Sequence, residues 1–472
     1  MLLNKGKGKV RPGEATQSAG RTHESPDQKL GAIGLTGIGI GGIIGAGYFL
    51  GSGIVIRQAG PAILLTFLFG GLILAQVMGA LATMATHEPK ASYRAYVESY
   101  LGTFPSYILG WVVFVSGVLG LGSEAVAMAT YARLWLAHVP MVALAVTFTV
   151  LALALNALGT RRVGQTEAVM SFLKITLLLA FVVVGVAAVA GALPHRGPAL
   201  GLPLITSHGG FMPHGVGPVL GASLIVVFSY SGVTAVAMAT GRARHPRRDV
   251  PESAMATVFG VVFLYVVAMA VLLLLVPWQG TSTRVSPFTQ ALRFLPIPLA
   301  TPLFNALILI SSFSVMAGGF YATAWMLESL SRAGEAPKLF QSRKAGTLSR
   351  STVIASGLGV LVSLTAAYVL PKSAYTDLTA AGSYFSLLNW LLILGSFLRW
   401  LPKNAAPPLR LAFGAPISTW VTIVAIVALG IQSARSPTFQ PGLWTFLVVI
   451  AIVSGVYLVT SRSRTPSAAG ST

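Results

Sequence analysis

The chain has 472 residues, of which 54% are hydrophobic and only 9% charged, with a formal net charge of +20. A soluble domain carries about 25% charged residues, so this chain cannot clothe an ordinary water-exposed surface, and disorder, collagen and coiled coil fail on the same arithmetic. Cysteine is absent, which excludes disulfides, thiolate metal sites, iron–sulfur clusters and cysteine nucleophiles.

The apolar stretches run about 18 to 26 residues, the length of membrane-crossing helices and not the ten-residue alternation of an outer-membrane barrel. An all-α integral membrane protein is therefore expected. Residues 1–30 are polar and basic, with no adjacent short apolar core ending in small residues, so the first apolar run reads as a retained span rather than a cleaved signal. Runs bounded by charges and Pro/Gly clusters predict 12 spans: 31–56, 61–86, 104–134, 141–159, 166–192, 215–240, 253–277, 299–330, 352–370, 375–399, 413–432 and 442–460.

With both termini in the cytoplasm, 24 of the 32 Lys and Arg fall in cytoplasmic segments and seven in outer loops; the remaining one, Lys174, lies inside the fifth span. That asymmetry predicts a multi-pass protein of the cytoplasmic membrane with both ends inside. It also accounts for the net charge. The cations are scattered over short segments instead of forming one stripe, so anionic lipid is the expected partner and nucleic acid is not.

The first span opens on TGIGIGGIIGAGYFLGSG, with Gly37, Gly39, Gly41, Gly42, Gly45, Gly47, Gly51 and Gly53. Each interior glycine costs a helix about 1 kcal/mol relative to Ala. Two readings follow: local unwinding near Gly41 to Gly47, or close packing of small residues, for which Gly41 and Gly45 have the spacing. The sixth span favours the first. In VVFSYSGVTAVAMATG, the residues Ser229, Tyr230, Ser231, Gly232 and Thr234 put polar groups and glycine in the middle of an apolar helix. Interruptions in the first span of each five-span half are the mark of an inverted-repeat transporter, with its site between them.

These residues carry a resemblance. GGIIGAGYFLGSG followed by Ala59-Gly60-Pro61, then Gly110-Trp111, Glu124, Asn156, Gly164, Glu167 and Phe172-Leu173-Lys174 occur in a familiar order. So do Phe228 through the His245-to-Pro251 stretch and MLESLSRAGEAPKLF, Met326 to Phe340. Over residues 29–399 the chain resembles the amino acid permeases of the amino acid/polyamine/organocation (APC) superfamily, closest to their proton-coupled bacterial branch. Departures are also visible: Gly79-Ala80-Leu81, Thr234 and Arg242 stand where the family usually has carboxylates, and Trp325 near where it has an Arg.

The resemblance implies a LeuT-like 5+5 inverted repeat with discontinuous helices 1 and 6. It divides the chain into a tail (1–30), a ten-helix core (31–400, with halves 31–192 and 215–399), helices 11 and 12 (401–460) and a second tail (461–472). A free amino acid carries a carboxylate and an ammonium that must both be satisfied out of water. The unwound stretch Ile43, Ile44, Gly45, Ala46 and Gly47 offers backbone N–H groups and a helix N-terminus for the carboxylate. The carbonyls near Phe228, Ser229, Ser231 and Gly232 suit the ammonium. Phe228 and Tyr230 are gate candidates, with plain packing as the alternative. Ser123, Ser314 and Asn389 are polar candidates for the side-chain pocket.

The resemblance places Lys174 where sodium-driven relatives hold Na⁺, contacting the unwound carbonyls of the first span and coupling transport to protonation. Snorkelling to the inner interface is the competing reading. Glu124 reads as proton carrier, side-chain selector or structural partner. No metal site and no cofactor are expected, since the histidines lie near span ends or in loops. The expected function is secondary active import of neutral amino acids by proton-coupled symport. An exchanger without net proton coupling is the alternative, and a membrane-embedded enzyme a distant one.

Overall fold

The computed structural model describes residues 31–88, 90, 92–157, 160–195, 200–206, 209–233, 243–342, 348–369, 374–404 and 407–462. The first apolar run is broken. Helix α1 (Ala32–Ile43) stops at Ile43, Ile44 and Gly45 take extended backbone, and the chain resumes as the single turn α2 (Ala46–Phe49) and then α3 (Gly51–Ala59). The turn into α4 (Ile63–His87) needs glycine at Gly60, whose φ of +59° is left-handed and whose Cβ would lie 2.6 Å from Pro213.

Helix α5 (Tyr93–Leu101) is a nine-residue element that no apolar run announces. Then come α6 (Thr103–Ala132), α7 (Met141–Ala157), α8 (Thr160–Val189) and the short α9 (Pro203–Thr206). The sixth run is helical as α10 (Val216–Tyr230), tightens to a 3₁₀ turn over Ser231–Val233, and passes into 234–242, outside the described residues, so Thr234 and Arg242 cannot be placed.

Helix α11 (Pro246–Leu275) starts well before residue 253, because Pro246 opens it and the Asp249 carboxylate accepts the His245 amide at 2.7 Å. The chain continues through α12 (Pro287–Leu292), α13 (Ala300–Arg332), α14 (Arg350–Val369), α15 (Ala374–Trp400), α16 (Ile417–Ala434) and α17 (Gln440–Arg462). Among the described residues, nine helical stretches are long and apolar enough to cross a membrane. One of these, Ala46–His87, joins α2, α3 and α4; Ala32–Ile43, Met141–Asn156 and Val216–Tyr230 are apolar but shorter.

Helix α6 packs against α13, α15 and α7, while α4 and α1 pack against α11. The outer helices turn Trp420, Val424, Trp444 and Ile452 outward, as an apolar solvent requires. The segment after α15 lies along one face of α4. The Leu409 amide donates to Thr83 Oγ1 at 3.1 Å, Gln76 Nε2 donates to the Phe413 carbonyl at 3.2 Å, and a Cβ on Gly79 would stand 2.3 Å from the Ala412 nitrogen. The segment is thus bonded by Gln76 and Thr83 of α4 and seated on the bare backbone of Gly79 between them.

Candidate functional site

The break between α1 and α2 frees backbone groups, and side chains from four helices take up its carbonyls. Lys174 Nζ donates to the Gly41 carbonyl at 2.6 Å, and the residue is 1% exposed. Helix α8 begins at Thr160, so Lys174 sits near its middle and is buried rather than snorkelling. Tyr265 Oη donates to Ile43 O at 3.1 Å, Ser311 Oγ to Ile44 O at 3.4 Å and Tyr375 Oη to Ala46 O at 2.8 Å. Left bare in a buried setting, the Gly41, Ile43 and Ile44 carbonyls would each cost about 1–3 kcal/mol, while Ala46 O also accepts the Leu50 amide at 2.9 Å. These donors come from α8, α11, α13 and α15, so the unwound geometry is held from several sides at once.

The amides are treated differently. Ala46 donates to both carboxylate oxygens of Glu124, at 3.0 and 3.3 Å, and Glu124 is 5% exposed. The expectation that the amides of this stretch are open is corrected at Ala46: the first amide of α2 is already taken by a carboxyl group supplied by α6. The amides of Gly45 and Gly47 make no hydrogen bond to another described residue. Gly45 must lack a side chain, since its Cβ would come 2.6 Å from Glu124 Oε1.

The end of α1 and the 3₁₀ turn that follows α10 touch backbone to backbone. A Cβ on Gly232 would lie 1.9 Å from the Gly42 carbonyl oxygen, and one on Gly47 would meet the Phe228 ring at 2.9 Å and Ser229 Cα at 3.0 Å. The Phe228 ring is half-buried and faces glycines on three helices: Gly47 on α2, Gly120 on α6 and Gly382 on α15. Tyr230 differs. It is fully buried in an aromatic cluster with Phe67 and Tyr265, and its hydroxyl donates to Phe67 O at 3.1 Å.

Ser229 and Ser231 turn their hydroxyls onto their own helix, to Ile225 O and Phe228 O. Ser123 does the same with Gly120 O, one residue before Glu124. Ser314 is buried on α13, and Asn389 on α15 keeps a buried Oδ1 with no partner among the described residues. Glu328 is fully buried away from the break and pairs with Arg332 at 2.7 Å. Sequence reasoning missed Tyr265, Ser311 and Tyr375. Single polar side chains on apolar helices were the available signal, but nothing in the sequence ranks them above Ser314 or Tyr384.

Comparisons with known proteins place the chain among relatives. A family model described as amino acid permease matches residues 34–462. The probable GABA permease of Pseudomonas aeruginosa is 30% identical, covering 88% of this chain and 90% of its own. The gamma-aminobutyric acid permease of Bacillus subtilis is 28% identical (91% and 92%), and the L-asparagine permease of Streptomyces coelicolor 29% (88% and 86%). Among solved structures, the crystal structure of the manganese transporter of Eremococcus coleocola aligns with a TM-score of 0.51 at 15% identity, over 94% of this chain and 96% of that one, a likeness of fold alone. The protein is a member of the amino acid permease family.

Proposed function

We propose that this chain imports neutral amino acids across the cytoplasmic membrane by proton-coupled symport and alternating access. The proposal includes 12 spans with both termini cytoplasmic. Ten of them, residues 31–400, form a LeuT-like core of two inverted halves, with two further helices over 401–460 and tails at 1–30 and 461–472. The substrate carboxylate binds at the Gly45 and Gly47 amides at the start of α2, and the ammonium at the carbonyls of Ser229 and Ser231, that of Phe228 being taken by the amide and hydroxyl of Ser231. Phe228 serves as the gate, and Tyr230 supports the site from behind.

One observation carries this reading: Glu124 holds the first amide of α2 while Lys174 holds a carbonyl of α1, both out of solvent. An ionised Glu124 competes with a substrate carboxylate for the same helix end. A protonated one is a weaker acceptor and carries no charge, so proton uptake favours substrate binding, and the two leave together on the other side. Lys174 supplies the positive charge beside the unwound carbonyls that a metal ion would otherwise provide.

The test is uptake by proteoliposomes. An amino acid found by thermal-shift screening of the 20 protein amino acids and GABA, where a bound ligand stabilises by mass action, should accumulate above its outside concentration under an inward proton gradient. Counterflow that ignores the pH gradient would establish the exchanger instead.

A further inference from the structure

We propose that Tyr375 is a positioning residue that latches α2 and α3 to α15 and so closes the site on the side where α3 ends. The inference rests on the transport reading above for its consequence, but its geometry is independent of any substrate. Tyr375 is the second residue of α15, is buried, and reaches across to donate to the Ala46 carbonyl at 2.8 Å. Ala46 is the first residue of α2, and its amide is the one bound by Glu124. One residue is therefore gripped on both sides, its N–H by Glu124 of α6 and its carbonyl by Tyr375 of α15.

The latch also explains a glycine. A Cβ on Gly51 would come 3.3 Å from the Tyr375 hydroxyl and 3.0 Å from Ile225 Cγ2, so the turn between α2 and α3 is kept bare where the phenol passes. Glycine weakens a helix, and here it does so at the start of α3, in exchange for room beside the phenol. The first half-helix cannot swing from α15 while this bond stands. Substrate release toward that side requires it to break.

The experiment compares the whole protein with Tyr375→Phe and Gly51→Ala. Tyr375→Phe deletes the donor. Gly51→Ala keeps the donor but crowds it, with a Cβ 3.3 Å from the hydroxyl and 3.0 Å from Ile225 Cγ2. Hydrogen exchange of the peptides covering 44–59 should quicken about fivefold in both, the worth of roughly one net hydrogen bond, with α4 and α6 unchanged. In proteoliposomes the KM for external substrate should fall by a similar factor while Vmax does not rise, because the open state no longer has to be drawn from a minor population. Unchanged exchange over 44–59, or faster exchange spread evenly over all helices, overturns the latch. If the wild-type protein carries no amino acid, the transport reading fails and hydrogen exchange still decides the latch by itself.

Discussion

Glu124 and Lys174 stand on opposite flanks of one helix break: the carboxylate accepts the Ala46 amide at 3.0 Å and the ammonium donates to the Gly41 carbonyl at 2.6 Å. The residues they hold are five apart in the chain, and the pair bridges the gap that the backbone leaves open. A carboxyl group sits at the start of α2 and an amine at the end of α1, each bonded to the backbone group that the break exposes.

Lys174→Ala strips the cation from the Gly41 carbonyl and leaves that oxygen buried without its ammonium donor. Uphill uptake under a proton gradient should be abolished while the protein still inserts and purifies. Glu124→Gln keeps an acceptor oxygen for Ala46 but cannot cycle a proton. It should retain counterflow and lose dependence on external pH. Uphill uptake by either variant at the wild-type level would remove that residue from coupling.

Gly232→Ala introduces a Cβ 1.9 Å from the Gly42 carbonyl oxygen. Overpacking of this kind costs about 1–3 kcal/mol, and against rigid backbone it is at the high end. The expected outcome is loss of substrate-induced thermal stabilisation, because the end of α1 and the 3₁₀ turn after α10 are pried apart where they meet. Gly120→Ala serves as the contrast: its Cβ would stand 3.7 Å from the Phe228 ring, ordinary contact, and binding should survive.

Much of this was legible beforehand. The glycine run and the Ser229 to Gly232 cluster are local signals, so the break after α1 and the change to a 3₁₀ turn after Tyr230 could be read from spacing and composition. What could not be read was which distant groups answer the freed backbone. Tyr375 lies 329 residues from Ala46 and Tyr265 lies 222 from Ile43, and a lone tyrosine in an apolar helix looks the same whether it packs or donates. The engagement of the Ala46 amide by Glu124 was hidden for the same reason. Glu124 was visible as a buried carboxylate, but its partner is a backbone atom, which sequence does not distinguish.

Gly79-Ala80-Leu81 stands where the family it resembles usually has a carboxylate, and at Gly79 the segment after α15, a strap across α4 at Ala412, leaves no space for any side chain. Gly79→Ala should lower the melting temperature of the purified protein, with a cost of about 1–3 kcal/mol, and Gly79→Glu should lower it further. A melting temperature unchanged in both would mean that the strap does not press on α4 in solution.

At the end of α4, Glu88 accepts from Tyr100 Oη at 2.5 Å and Trp400 Nε1 at 3.1 Å and pairs with Lys90 at 2.9 Å. Partial burial pushes its carboxyl up, but the Tyr100 hydroxyl, Lys90 and Trp400 together hold it below the usual carboxylate range. A folded-state pKa below the unfolded one means that the stabilisation is full above the unfolded value and is lost as pH falls through the folded one. Melting temperatures of wild type and Glu88→Gln should therefore differ at neutral pH and converge in acid below about pH 4. A gap that persists in acid would assign the effect to packing.

The most direct measurement is a cryo-electron-microscopy map of the protein saturated with the amino acid that stabilises it most. The account predicts density for the carboxylate against the Gly45 and Gly47 amides, with the ammonium toward the Ser229 and Ser231 carbonyls and the Glu124 carboxylate drawn off Ala46. Ligand density away from the α1–α2 break, with Glu124 still on the Ala46 amide, would contradict it.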